Sequence, residues 1–204
     1  MKYPKLRELL EAITALIRGP VTLKFPAAPS PAPEGFRGRP TYHNDDCVGC
    51  GACAQSCPAR AITMTDDLAA GAPTRTLCVR YDHCIFCQTC ERNCITTTGI
   101  VLETEYNMVA ATRAAQNMSV AKELVVCEAC GRVVAAREHL RWLYHKLGPL
   151  AYANPTVALA SLRALRVIEP EADQPPCRAP GDVSRGDRMR VLCPVCRAAV
   201  AVII

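Results

Sequence analysis

Aromatic residues are scarce in this chain, with Phe, Tyr and Trp making up 5% of 204 residues. Lysine is rarer still for a protein of formal charge +5, since 5 of the 24 basic residues are Lys and the rest Arg. A surface that grips single strands by stacking bases on exposed rings has little to draw on here. The opening MKYPKLRELLEAITALIRGP is broken by charges throughout and lacks both an apolar h-region and a small-residue cleavage site, which argues against secretion. No stretch reaches the roughly 18–20 uncharged apolar residues that a spanning helix needs. There is no phosphate-cradling glycine loop, no dinucleotide fingerprint and no Ser/His/Asp arrangement, so no catalytic centre is expected. His139 and His145 stand six apart on a predicted helix, a poor spacing for a shared metal.

Cysteine is abundant instead: 14 residues, most of them in close-spaced groups. In a reducing, cytoplasmic setting such groups are metal ligands rather than disulfides. Cys47, Cys50, Cys53 and Cys57 recur as Cys84, Cys87, Cys90 and Cys94, each displaced by 37 residues, and both sets read C-x2-C-x2-C-x3-C. Zinc takes four ligands, usually as two separated pairs. Three thiolates at successive x2 spacing instead wrap one loop around three corners of a cubic iron–sulfur core, and the fourth cysteine serves the other cluster. The expected sets are therefore Cys47, Cys50, Cys53 and Cys94 for a first [4Fe–4S] cluster, and Cys84, Cys87, Cys90 and Cys57 for a second. Bound thiolates make the loaded protein less basic than its formal charge. Gly49 and Gly51 suit a tight backbone that aims amides at sulfur, whereas Ile85 and Phe86 are expected to keep water from the second loop. Pro58 follows the first motif and Ile95 takes its place after the second. Cys78 has no motif partner and reads as a buried thiol. His43 and His83 lie near the loops and read as ordinary surface groups.

A second cysteine system follows. Cys127-x2-Cys130 and Cys193-x2-Cys196 resemble two zinc knuckles completing a four-thiolate site. Zinc is the expected metal, with rubredoxin-like iron, a third cluster or free thiols as the alternatives. Two helices must be inserted between the knuckles. Cys177, alone in a Pro-rich loop, is not expected to ligate.

The remaining segments frame these sites. Leu6, Leu9, Leu10, Ile13, Leu16 and Ile17 form one apolar stripe on a helix over 5–18, either docked on its own domain or lying on a membrane or a hydrophobic partner. VTLKF (21–25) is β-like and is followed by a Pro/Ala linker. AITMT (61–65) and IVLETE (100–105) read as strands. Helices are expected over 107–122, 134–147 and 156–168, a loop over 169–190, and a strand at the β-branched end of the chain. The fold class is α+β: a pseudo-twofold, bacterial-type 2[4Fe–4S] ferredoxin core over 41–106, an N-terminal amphipathic helix and Pro-rich arm over 1–40, and a C-terminal helical extension over 107–204 closed by a zinc-ribbon-like four-cysteine site.

PVTLKFP, FRGRP, the acidic pair before CVGCGACAQSCPARAI, and HCIFCQTC together resemble the two-cluster ferredoxin subunit of respiratory complex I. With CEAC and CPVC appended, the chain resembles more closely the ferredoxin-like subunit of formate hydrogenlyase and related energy-converting, membrane-bound [NiFe] hydrogenases. The likeness is strong over about residues 1–110 and looser beyond. It implies an electron-transfer subunit with two [4Fe–4S] clusters, cytoplasmic and peripherally membrane-associated. Its implied partners are the hydrogenase small and large subunits, an upstream electron-donating iron–sulfur subunit and a membrane-arm subunit touched by the N-terminal helix. A quinone-reducing complex I subunit is the alternative, disfavoured by the later CxxC pairs. From another class comes a redox-sensing zinc-ribbon module for nucleic acid. Arg178, Arg185, Arg188, Arg190 and Arg197 against Asp182 and Asp187, without an aromatic, make a thin basic face for it, and no nucleic-acid partner is expected.

Overall fold

The structure is a computed structural model, and it describes residues 5–19, 22–24, 27–69, 72–168 and 178–202. Two compact units divide the chain at Phe36 and Arg37.

In the first unit, α1 spans Leu6–Arg18. The Glu8 carboxylate accepts from the Lys5 backbone N–H at 3.1 Å, which ties off the start of the helix, and Gly19 closes it with φ 72°. The apolar stripe expected from the sequence is present, and all six of its residues are exposed, from Ile13 at 46% to Leu6 at 86%. Residues 22–24 form no strand, while Val21 and Phe25 of the β-like run lie outside the described residues.

The second unit begins with β1 (Pro40–Tyr42), which pairs antiparallel with β4 (Ile100–Leu102). Between them come α2 (Ala52–Ser56), β2 (Ile62–Asp67), β3 (Thr74–Arg80) and α3 (Thr89–Arg92). The strand before each cysteine motif thus pairs with the strand after the other motif, which is the pseudo-twofold core expected from the repeat. Along β3, Arg75, Leu77 and Val79 point inward by simple alternation, and Cys78 falls on the opposite, half-buried face. Leu77, Val79, Tyr42, Ile62, Ile100 and Val120 form the core around Cys47, Cys53 and Cys90.

The helix expected over 107–122 does not form. A single 3-10 turn at Arg113–Gln116 leads into β5, a ten-residue strand over Asn117–Val126. Inward positions on β5 alternate as Val120, Lys122 and Leu124, so a lysine stands where the strand pattern calls for an apolar residue. Pairing with β3 decides the matter, since seven consecutive residues of each strand are in register. β6 (Val133–Ala136) then completes an antiparallel sheet of order β2-β3-β5-β6. The extension therefore shares its main sheet with the ferredoxin core.

Helices α4 (Arg137–Leu147) and α5 (Pro155–Ala164) follow, joined by a 3-10 segment. Asn154 caps α5 by accepting from the Thr156 and Val157 amides, with Pro155 pre-set at the first helical position. These are the two helices required between the knuckles. Of the expected loop over 169–190, residues 169–177 lie outside the described residues, and a 3-10 turn occupies Arg185–Met189. The chain end corrects another expectation. Pro194–Val202 is helix α6, not a strand, because Cys196 and Val200 fall one helical turn apart on a buried face. Ile203 and Ile204 lie outside the described residues.

Gly38 shows how tightly the core entrance is built. Its amide donates to the Glu103 carbonyl at 2.9 Å, and an added Cβ would overlap the carbonyl oxygens of Glu103 and Glu105. Gly38→Ala is expected to destabilise the protein by about 1–3 kcal/mol, because backbone rather than a flexible side chain must move. Thermal melts of the anaerobically purified chain would show a lower Tm, and an unchanged Tm would contradict this packing.

Candidate metal centres

The repeat seen in the cysteines extends to the backbone. Gly49 and Phe86, Gly51 and Gln88, and Arg60 and Thr97 are each 37 apart, and all six have positive φ between 50° and 80°. In the first loop glycine takes that conformation freely; in the second, Phe86 adopts it at φ 53°, a strained state for a bulky residue. The reason is visible at the sulfur, since the Phe86 amide donates to Cys84 Sγ at 3.4 Å. The Gly49 amide does the same for Cys47.

Each loop closes over a cavity. Cys47, Cys50, Cys53 and Cys94 line one, together with Tyr42, Leu77 and Ile100. Cys57, Cys84, Cys87 and Cys90 line the other, with Ile62, Val79 and Phe86. Three cysteines of one motif thus meet the fourth of the other. Burial pushes the Cys53 thiol up to about 11 and the Cys90 thiol up to about 12. Cys94 is lowered, because hydrogen bonds from Thr96 and the Gly99 and Ile100 amides outweigh its burial. Cys87 is lowered chiefly by its hydrogen bond with Thr89 at 3.2 Å. Sulfurs that resist ionisation in the free cavity become ligands only beside a cation.

The two loops differ in cover, and not as their side chains suggest. Ile85 is 61% exposed, although Phe86 does line its cavity. The glycine-containing loop is the better buried of the two. Its cover comes from distant residues: a Cβ at Gly49 would touch Lys122 and Ala136 at 3.0–3.1 Å, and one at Gly51 would meet Met64 Sδ at 2.6 Å. Tyr42 was not recognisable as a site residue, yet its hydroxyl lies 3.7 Å from Cys53 Sγ inside the first cavity. Its only signal was its place, five residues ahead of the first cysteine. His43 and His83 are both exposed. His139 sits half-buried on α4, its pKa lowered by burial and by the Arg75 charge.

Cys127, Cys130, Cys193 and Cys196 come together in a third site, with all four sulfurs within 4.8 Å of one another. The β5–β6 connection holds the first pair: the Cys127 amide donates to the Arg132 carbonyl and Gly131 turns back to the Cys127 carbonyl, each at 2.8 Å. Glu128 clamps the halves together by accepting from the Val191 amide at 2.9 Å and pairing with Arg163 of α5. The Gly181 amide donates to Cys196 Sγ at 3.4 Å. One tetrahedral ion with bonds of about 2.3 Å to sulfur sets the sulfurs about 3.8 Å apart. The Cys130–Cys193 separation is 3.7 Å. That spacing is far longer than the roughly 2.05 Å of a disulfide, and the group is too tight to surround a cubic cluster. Burial raises the Cys196 thiol to about 12 and also raises Cys130, whereas hydrogen bonds pull Cys193 down against its burial. Cys177 lies outside the described residues.

Residues 46–98 match the family described as 4Fe-4S dicluster domain. Over 72 residues the chain is 36% identical to Ferredoxin Fdx2 of Sorangium cellulosum, covering 34% of this chain and 71% of that protein. The chain belongs to the dicluster ferredoxins. Iron–sulfur clusters are the cofactors of this ferredoxin family, and single-electron transfer is their chemistry. This ferredoxin is also 40% identical over 53 residues to formate hydrogenlyase subunit 6 of Escherichia coli, covering 26% of this chain and 29% of that one. It is 36% identical over 59 residues to NADH-quinone oxidoreductase subunit I of Carboxydothermus hydrogenoformans, covering 29% and 42%. The chain spans less than half the length of these two relatives.

At the third site, Cys196→Ser is expected to lose most of one bound metal ion per chain and to lower the Tm, while the ferredoxin iron remains. Metal analysis beside an iron assay checks this; a variant that keeps its full complement would show that the four sulfurs hold no ion.

Proposed function

We propose that this ferredoxin is the electron-transfer subunit of a membrane-bound [NiFe] hydrogenase of formate hydrogenlyase type. The observation that carries the reading is the combination of a two-motif cysteine core with a four-cysteine site built onto the same sheet. Cys47, Cys50, Cys53 and Cys94 hold the first [4Fe–4S] cluster, and Cys84, Cys87, Cys90 and Cys57 hold the second. Their membership of two separate cavities supports that division. Such clusters supply one-electron steps at fixed positions. The chain supplies burial, amide–sulfur hydrogen bonds and orientation, and it has no catalytic role of its own.

Cys127, Cys130, Cys193 and Cys196 hold zinc in this reading. The close sulfur spacing favours a single ion over a third cluster, and zinc is redox-silent, which suits a clip rather than a relay. The clip belongs to the segment 107–204, appended to a ferredoxin domain over 41–106 and an arm over 1–40. No helix among the described residues is long and apolar enough to cross a membrane. The exposed stripe of α1 instead supports peripheral attachment to a membrane-arm subunit. The remaining partners are the hydrogenase small and large subunits and an upstream iron–sulfur donor, and the setting is cytoplasmic. The complex I-type reading keeps support from the quinone oxidoreductase relative.

Anaerobic isolation of the native complex tests the proposal. About eight iron and one zinc per chain are expected, with two reducible [4Fe–4S] signals on stepwise reduction. About four iron would refute the two-cluster scheme. Nickel in the same complex supports the hydrogenase; a quinone-reducing complex without nickel supports the alternative. Separately, Leu10→Glu with Ile13→Glu is expected to move the chain from the membrane fraction to the soluble fraction without changing its iron content. Retention on the membrane would remove α1 from the attachment.

A further inference from the structure

A row of three charges crosses the four-stranded sheet beneath the first cysteine loop. The register sets Asp66 opposite Arg75 and Arg75 opposite Lys122, so a single carboxylate serves two cations. Asp66 is fully engaged with Arg75, which reaches it through Nε at 2.7 Å and Nη2 at 2.8 Å. Lys122 has a neutral partner. Its ammonium donates to the Asn44 carbonyl at 2.5 Å, and the residue is 8% exposed. Among the described residues no carboxylate pairs with it.

A buried ammonium with one carbonyl and a like-charged neighbour across the strand is an unfavourable arrangement unless an anion lies close by. One source of negative charge is the loop above it, whose sulfurs are anionic when they ligate a cluster. Asn44, which holds the ammonium, is three residues ahead of Cys47, and the Lys122 stem packs where a Gly49 Cβ would stand, at 3.0 Å. Arg75 Nη1 donates to the Gly49 carbonyl at 3.2 Å, closing the same loop from the other strand. Burial raises the Cys47 thiol, and Lys122 is among the groups that oppose that rise. No strand extends the two-stranded β1–β4 sheet as β5 extends β2–β3, and the cation that acts on the second loop, Arg37 toward Cys87, is exposed where Lys122 is buried.

We propose that Lys122 is the built-in counter-cation of the first cluster and holds that cluster's reduction potential above the value its burial alone would set. The inference rests on the assignment of Cys47, Cys50, Cys53 and Cys94 to one [4Fe–4S] centre. On reduction, one electron arrives from the redox partner and no bond is made or broken. The added negative charge is stabilised by a cation fixed in a low-dielectric setting, where its effect is greatest. Lys122 is therefore a positioning residue that acts on the cluster through charge.

The test is a redox titration of the anaerobically purified full chain, followed by EPR, for wild type, Lys122→Met, Lys122→Gln and Lys122→Arg. Iron content and Tm are recorded for each. The signal of the first cluster is the one that Cys50→Ser perturbs. Removing the charge is expected to shift the reduction equilibrium of that signal about tenfold toward the oxidised form, which is about 59 mV downward for one electron. The second signal stays in place, and Lys122→Arg returns the first toward wild type. Met and Gln differ in shape and polarity but share the loss of charge, so a common shift points to charge rather than packing. Unmoved midpoints in variants with full iron, or equal movement of both signals, would overturn the proposal. Should the two uncharged variants lose the first cluster while Arg retains it, the counter-charge role stands on iron content. Loss of that cluster in Arg as well would overturn it. A wild-type chain without two clusters would refute the cluster assignment itself, an outcome visible before any variant is made.

Discussion

Burying negative sulfur is the constraint on which the rest of this structure depends. Each of three sites gathers four buried or half-buried cysteines, and thiolates packed together repel one another. Every local feature around the sites reduces that penalty. Amides of Gly49, Phe86 and Gly181 are turned toward sulfur, and Thr89 and Thr96 bring hydroxyls to Cys87 and Cys94. Phe86 accepts a strained backbone because the geometry at Cys84 requires it. Two of the hydrophobic core clusters are partly made of the cysteines themselves, so there the cysteine sets and the core are one object.

The pseudo-twofold repeat would make the two ferredoxin cavities equivalent, and the extension removes that equivalence. β5 lies against β3 and β6 against β5, bringing Lys122 and Ala136 over the first loop. The second loop keeps its own side chains for cover, with Ile85 turned outward. Two loops of one ancestry in sequence thus sit in different dielectric and charge surroundings. The difference arises from residues far from either motif.

That distance explains what could be read in the sequence and what could not. Cysteine spacing is set by ligand geometry, so the two repeated motifs and the two later CxxC pairs were legible in short windows. The helices Arg137–Leu147 and Pro155–Ala164 were visible because their apolar period and their Gly-Pro and Asn-Pro boundaries are local, although residues 134–136, expected to open the first, belong to β6, and the second stops short of 168. β5 was hidden because Lys122 interrupts the alternation Met118, Val120, Leu124, and because Ala121, Lys122 and Glu123 favour helix. Only pairing with β3 reveals it. The final helix was misjudged on its β-branched residues, whereas the buried pair Cys196 and Val200 decided its form. Tyr42 and Lys122 had no neighbouring pattern to betray them, since their partners come from elsewhere in the chain.

The cover over the first loop also has an order in time. Translation delivers Cys47–Cys57 well before β5, so the nascent ferredoxin presents an open loop until the later strand pairs with β3. The same strand runs directly into Cys127, so the cover over the first loop and half of the third site hang on one strand. Damage to β5 therefore reaches two sites at once, the cover of the first loop and one half of the four-cysteine group.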